Sequence, residues 1–256
     1  MTRRRVRLRS FARHLRTLVL LAVSVVLPAS AQSFEERWKA RVAEYEAENQ
    51  ALPAGESRIV LFGSSSMEGW KQGDRVKRYL PTVGPRTLNR GIGGDGIGIE
   101  LGTAKGLRNR LESSVFNCQP SHVFVLNGRN SIGYGAERVA EAYEALLREI
   151  RERMPHVVVT VITCAPVNYG HADKKDAVVD LNTRLKAIAK ATGCRLIDLH
   201  SMLVGPDGLM REELTQDGLH FKNKGYELLG REIERVVAET PPAPRQGGLQ
   251  GKLDKE

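Results

Sequence analysis

Apolar positions fall into two patterns along this chain: short continuous runs, and stripes repeating every three to four residues. The run "RIVLFG", residues 58–63, reads as a first strand. "RTLNRG" (86–91) is a weaker second, "SHVFVLNG" (121–128) a buried third, "HVVVTVITCAP" (156–166) the strongest, and "CRLIDLH" (194–200) a fifth. The stripes lie between and around them. Phe34, Trp38, Val42 and Tyr45 mark a mostly polar helix over 34–50, packed on the outside of the domain and broken by Pro53 and Gly55. Residues 98–116, "GIELGTAKGLRNRLESSVF", read as a helix weakened by glycines. Val139, Tyr143, Leu146, Leu147 and Ile150 mark a helix over 136–153 that Pro155 ends. Val178, Leu181, Leu185 and Ile188 mark one over 174–192 closed by Gly193, and Tyr226, Leu229, Ile233 and Val236 mark the last, over 222–239. Strands alternating with helices predict an α/β fold: a five-stranded parallel sheet with helices on both faces, a three-layer α/β/α sandwich. Short, continuously apolar strands fit burial on both sides.

Composition changes this picture at the ends. The chain has 256 residues, 41% of them hydrophobic, enough for one sizeable core. Its net charge of +9 invites a nucleic-acid reading. Seven of the 39 basic residues, however, are arginines within the first 31 residues, which hold no acid, so without that segment the charge falls to about +2. The same segment continues as "LVLLAVSVVLPA" and ends in "ASA". A basic start, a short apolar run and an A-x-A site describe a signal peptide, residues 1–31, and an exported, periplasmic or secreted, protein with no stable membrane insertion after cleavage. An uncleaved anchor is the alternative, against which the run of roughly 12 apolar residues is short of the about 20 a span needs. No basic stripe interleaved with aromatics remains, so no nucleic-acid partner is expected. Residues 32–57 read as an N-terminal helix and linker, 58–240 as the domain, and 241–256, rich in Pro, Gly, Gln and charge, as a disordered tail. Cys118, Cys164 and Cys194 are odd in number and widely spaced, which leaves room for one disulfide and offers no zinc or thioredoxin motif. Cys164 and Cys194 are expected at opposite ends of parallel strands, which argues against their pairing.

Parallel sheets place their sites at the carboxyl ends of the strands, so the chemistry is sought just after each one. Strand one leads into "GSSS", three serines in a row. After strand two, Gly91-x-Gly93-x-x-Gly96 matches a dinucleotide fingerprint, but it does not follow the first strand and no acid ends the next one. These glycines still let backbone N–H groups approach a ligand at the start of a helix. After strand three, Asn130 in "LNGRNSIG" reads either as a cap of the following turn or as an amide donating to an oxyanion. After strand four, the loop from Pro166 to Asp176 borders the cleft, and Asn168, Tyr169 and His171 could reach substrate. His171 with Asp173 and Asp176 reads as a solvated loop rather than a metal site. His200, after strand five, could line the cleft, while His122 and His156 look structural. Before the last helix, Asp217-x-x-His220 supplies a base and a carboxylate from one turn, which is what a weakly nucleophilic serine needs.

Serine, glycines, asparagine and Asp-x-x-His in this order resemble the SGNH, or GDSL-type, esterase and lipase family, with a G-S-S-S variant of its first motif. The resemblance spans residues 58–238. It implies a flavodoxin-like three-layer sandwich and puts the nucleophile at Ser65, where the family has F-G-D-S. It puts the oxyanion hole at Ser65, Gly94 and Asn130, the orienting acid at Asp217 and the base at His220. Ser64 stands where the family has Asp, and Ser131 where its G-x-N-D motif has Asp. The implied activity is hydrolysis of carboxylic esters, short-chain or acetyl, on a small molecule or a carbohydrate, with neither metal nor organic cofactor. The alternative is a carbohydrate O-acyltransferase, or a non-catalytic carbohydrate-binding member of the same fold.

Overall fold

The computed structural model describes residues 33–98 and 105–241. The signal-peptide and tail expectations, and part of the helix expected over 98–116, fall outside these residues. The five predicted strands all form: β1 (Arg58–Gly63), β2 (Thr87–Gly91), β3 (Pro120–Leu126), β4 (Val158–Ile162) and β5 (Arg195–Ile197). They pair in parallel in the order β2-β1-β3-β4-β5. The chain therefore leaves β1 to one side for β2 and returns to its other side for β3. Such a reversal opens a crevice at the carboxyl ends of β1 and β3.

Alternate strand residues feed two separate cores. Val60, Phe62, Val123, Val125, Val159 and Val161 pack on one face with Val139, Leu146 and Ile150 of α5 (Ala136–Arg153) and Leu181 and Leu185 of α6 (Lys175–Ala191). Ile59, Leu61, Phe124, Leu126, Ile162 and Ile197 pack on the other with Tyr226, Leu229, Ile233 and Val236 of α8 (Asn223–Glu239). Both faces of the central strands are thus covered, which is why β1, β3 and β4 read as largely apolar runs rather than alternating ones. The short helices α2 (Ser65–Glu68), α3 (Arg75–Tyr79), α4 (Leu111–Ser114) and α7 (Leu199–Leu203) occupy connections. Helix α6 ends on Gly193 at φ +66°, the left-handed stop that a glycine supplies without a Cβ clash.

The polar N-terminal helix, α1 (Phe34–Gln50), starts with a capping box in which Ser33 and Glu36 exchange hydrogen bonds with each other's backbone N–H. It is not merely an outer layer. Trp38 and Tyr45 form a third, small core with Ile92, at the end of β2.

Of the helix expected over 98–116, only a 3₁₀ turn, Arg108–Arg110, and the single turn α4 form among the described residues. The physical reason lies in two glycines. Gly98 (φ +144°) and Gly106 (φ +158°) are non-helical, and a Cβ on Gly106 would stand 2.5 Å from Gly98 Cα. Eight residues of helix would hold these two positions about 12 Å apart. Residues 96–98 and 106–108 instead lie side by side, joined by Leu107 N–H to Gly96 O and Arg108 N–H to Ile97 O, both 3.0 Å.

All three cysteines are free, so the disulfide left open by the sequence does not form. Cys164 follows β4 and Cys194 precedes β5, at opposite ends of the sheet. Among the described residues no helix is long and apolar enough to cross a membrane.

Candidate active site

The serine run sits where β1 meets α2. At Gly63 a Cβ would lie 2.2 Å from Leu126 O of β3, so only glycine lets the two strand ends stay this close. The chain turns at Ser64, whose carbonyl accepts from Met67 N–H and Glu68 N–H at 3.0 and 2.9 Å. Ser64 and Ser66 are buried, and Ser66 O takes the Tyr226 hydroxyl at 3.1 Å. Ser65, first residue of α2, is half-exposed, and its Oγ is 3.0 Å from His220 Nε2.

His220 and Asp217 belong to a tight hairpin between β5 and α8. His220 Nδ1 is 2.6 Å from Asp217 Oδ2, while Asp217 Oδ1 accepts from Leu219 N–H and His220 N–H at 2.9 and 2.7 Å. Thr215 closes the hairpin from inside: its Oγ1 donates to His220 O (2.8 Å) and accepts from Gly218 N–H (3.0 Å). Burial pushes the Asp217 carboxyl up, but bonds from the His220 ring and from the His220 and Leu219 amides outweigh it. The carboxyl is held well below its ordinary range and is charged at neutral pH. An anion bonded to Nδ1 fixes the proton there and leaves Nε2 as the acceptor facing Ser65.

The glycine loop after β2 lies against this group. A Cβ on Gly93 would stand 3.8 Å from Ser65 Cβ and 2.6 Å from Glu68 Oε2, and one on Gly91 would strike Glu68 N. Two of the three fingerprint glycines, Gly91 and Gly93, thus serve close packing on α2, and Gly96 faces Ser131 Oγ. Gly94 adopts φ +82°, with Phe34 of α1 across from it. Asn130 Nδ2 donates to Asp95 O at 2.9 Å, which fixes the amide beside the same loop and leaves its second N–H unused. Ser131 Oγ accepts from Ile97 N–H at 3.4 Å.

The model of the GDSL-like lipase/acylhydrolase family matches residues 61–228, from β1 into α8. The chain belongs to this family. Chicken (Gallus gallus) platelet-activating factor acetylhydrolase IB subunit alpha2 is 29% identical over 192 residues, covering 73% of this chain and 80% of that one. A lipase/acylhydrolase from Enterococcus faecalis superposes with a TM-score of 0.57 at 25% identity, covering 74% of this chain and 100% of its own. A GDSL-like lipase from Bacteroides thetaiotaomicron reaches a TM-score of 0.65 at 22% identity, covering 78% and 98%. Membership makes the protein a carboxylic ester hydrolase.

Against the GDSL pattern, Ser131, in place of the Asp of G-x-N-D, accepts from the Ile97 amide, and the Ser64 side chain caps nothing at the start of α2. Other expectations need correction. Asn168 does not face substrate: it is buried, its Nδ2 donating to Met210 O (2.6 Å) and its Oδ1 accepting from Tyr169 N–H (2.6 Å). Its backbone N–H donates to Gly218 O at 3.0 Å, so it tethers the Asp217–His220 hairpin. Tyr169, His171 and His200 make no hydrogen bond to Ser65, Asp217 or His220; the Tyr169 ring is exposed on the loop after β4. Among the described residues no group of three or more His, Cys, Asp or Glu could hold a metal ion.

Several supporting residues carry no local signal in the sequence. The Asp95 carboxylate accepts from Trp38 Nε1 (3.1 Å) and Arg110 Nε (2.7 Å), with both Asp95 and Arg110 fully buried. Arg110 also donates to Arg90 O and Gly63 O, and so ties the ends of β2 and β1 to the glycine loop. Arg129 Nη2 donates to Leu219 O at 2.7 Å, linking the Asn130 loop to the His220 hairpin.

Proposed function

We propose that the protein is a serine esterase acting on short-chain, in the first place acetyl, esters through Ser65, His220 and Asp217. The observation that carries this reading is the continuous relay of 2.6 Å from Asp217 to His220 and 3.0 Å from His220 to Ser65 Oγ. His220 Nε2 takes the Ser65 proton as Oγ attacks the ester carbonyl. Asp217 stabilises the resulting imidazolium. The developing oxyanion is received by the N–H groups of Ser65 and Gly94 and by the free N–H of the Asn130 amide, each such donor being worth about 10²–10³ in rate. His220 then protonates the leaving alcohol, and water, activated the same way, releases the acyl group from Ser65. This cycle draws on the chain's own side chains and backbone amides, and on water. The acetyl preference is supported by the acetylhydrolase relative and by the polar cleft beside Ser65, whose walls include Gln72, Gln216 and Asn223. With residues 1–31 read as an export signal, the substrate lies outside the cytoplasm.

The test is turnover of p-nitrophenyl acetate, butyrate and octanoate by wild type, Ser65→Ala, Ser64→Ala and Ser66→Ala. Acetate is expected to be cleaved fastest, and only Ser65→Ala is expected to abolish turnover. Wild-type rates from Ser65→Ala would overturn the mechanism; a preference for octanoate would overturn the acyl assignment.

A further inference from the structure

The cleft beside Ser65 has a volume of about 500 Å³, and its walls hold two acids and two bases besides His220. The acids are already answered. Asp217 is bound to His220 and two amides. Glu68 Oε2 accepts from Gly93 N–H at 3.0 Å, and its Oε1 lies 3.9 Å from Arg41 Nη2. The bases, Arg75 and Lys222, have no carboxylate partner among the described residues. Lys222 Nζ donates only to the Glu212 carbonyl, at 3.1 Å.

Arg75 is held in place by neutral groups. Its Nε donates to Asn223 Oδ1 (3.0 Å), and its Nη1 donates to Gly69 O (2.6 Å) and Gln72 Oε1 (3.1 Å). Its guanidinium lies 4.1 Å from the Tyr226 ring centroid, stacked on a residue that also braces Ser66. Three of its five N–H groups are used and both on Nη2 remain. A planar cation fixed this way loses little side-chain freedom on meeting an anion. The cleft wall thus keeps a positive charge without a carboxylate partner in the same cleft as Ser65 and as His220, which in the proposed cycle hands its proton to the leaving alcohol.

We infer that the alcohol part of the substrate carries an anionic oxygen group, carboxylate or phosphate, received by Arg75 Nη2 and Lys222 Nζ while the ester carbonyl lies on Ser65. This rests on the esterase reading above and deepens it: the acyl group is small and neutral, and recognition comes from the charged alcohol.

The test measures acetate release by the full chain from three substrates: an O-acetylated methyl glucoside, its glucuronide counterpart, and the same sugar phosphorylated at its primary hydroxyl. The charged sugars are expected to show kcat/KM about tenfold above the neutral one, mostly through KM, with the advantage shrinking at high ionic strength. Whichever charged sugar is preferred identifies the group. Arg75→Gln and Lys222→Gln each bring the charged-to-neutral ratio towards one, while Arg78→Gln, on the exposed side of α3, preserves it. Lys222→Gln keeps the test decisive should Arg75→Gln, which also loses the bonds to Asn223 and Gly69, fail to fold. A wild-type ratio at or below one, or a ratio that neither variant changes, overturns the inference and leaves the esterase standing. Absence of Ser65-dependent release from all three sugars and from p-nitrophenyl acetate overturns the esterase reading itself.

Discussion

Replacing Gly218 by Ala tests how the Asp217–His220 hairpin is held. Gly218 sits between the two residues at φ +80°, where an L side chain is strained by about 1–2 kcal/mol. Strain is the smaller part of the effect. A Cβ there would stand 2.0 Å from the Asn168 carbonyl oxygen, a backbone atom that cannot swing aside, whereas ordinary contact begins at 3.4 Å. Hairpin and Asn168 must separate by about 1.4 Å, breaking the Asn168 N–H to Gly218 O bond. The Ser65–His220 bond is 3.0 Å, so a shift of that size carries Nε2 beyond hydrogen-bond reach. A misplacement near 1 Å costs about 10²-fold in kcat, and overpacking adds about 1–3 kcal/mol to the strain. The matched control is Gly193→Ala, which has a similar φ of +66° and nothing within 4 Å of its Cβ. It carries the strain alone, far from the site. Steady-state hydrolysis of p-nitrophenyl acetate and thermal melts of both variants separate the two effects. If Gly218→Ala keeps kcat within about twofold of wild type and melts like Gly193→Ala, the Asn168 contact does not position the hairpin.

Asp217→Asn removes the charge that fixes the His220 tautomer and stabilises its imidazolium; kcat is expected to fall by about 10³–10⁴ with KM little changed, measured on the acetyl ester. Arg110→Met leaves the Asp95 carboxylate buried with only Trp38 as side-chain donor and should cost about 3–5 kcal/mol in urea unfolding; a cost below about 1 kcal/mol would show that the pair does not anchor the glycine loop. His122 is buried, with its ring bonded to Ser121 and Thr240, and burial pushes its pKa down to about 4 from 6.5. The folded state refuses a proton that the unfolded chain accepts, so this contribution to stability is full above pH 6.5 and is lost as pH falls towards 4. His122→Gln should flatten the urea midpoint over that window, and an equal slope in both proteins would refute the assignment.

What the sequence made legible and what it hid divide along contact range. The central strands β1, β3 and β4 were visible because burial on both faces turns each into a largely apolar run, the partly buried edge strands β2 and β5 gave a weaker signal, and the helices over 136–153, 175–191 and 223–239 were visible because one face of each meets a core. Asp217 and His220 were visible because a three-residue turn is local, and the middle serine because its neighbours follow a family motif. The shell that holds these residues is not local. Trp38 reaches Asp95 across 57 positions, Arg110 reaches Gly63 across 47, and Asn168 N–H meets Gly218 O across the hairpin's flank. No periodicity or turn rule joins such partners. The glycine loop shows the same limit from the other side. Its composition implied backbone N–H groups able to approach a ligand, but composition reports only that side chains are missing. What fills the space decides the meaning: at Gly91 and Gly93 it is Glu68, the residue that also receives the Gly93 N–H. Once Glu68 is satisfied there and Asp217 by His220, the cleft keeps only the charges of Arg75 and Lys222. The glycine loop therefore takes up the Glu68 carboxylate through the Gly93 N–H, and the cleft is left with two cations, Arg75 and Lys222, that have no carboxylate partner among the described residues.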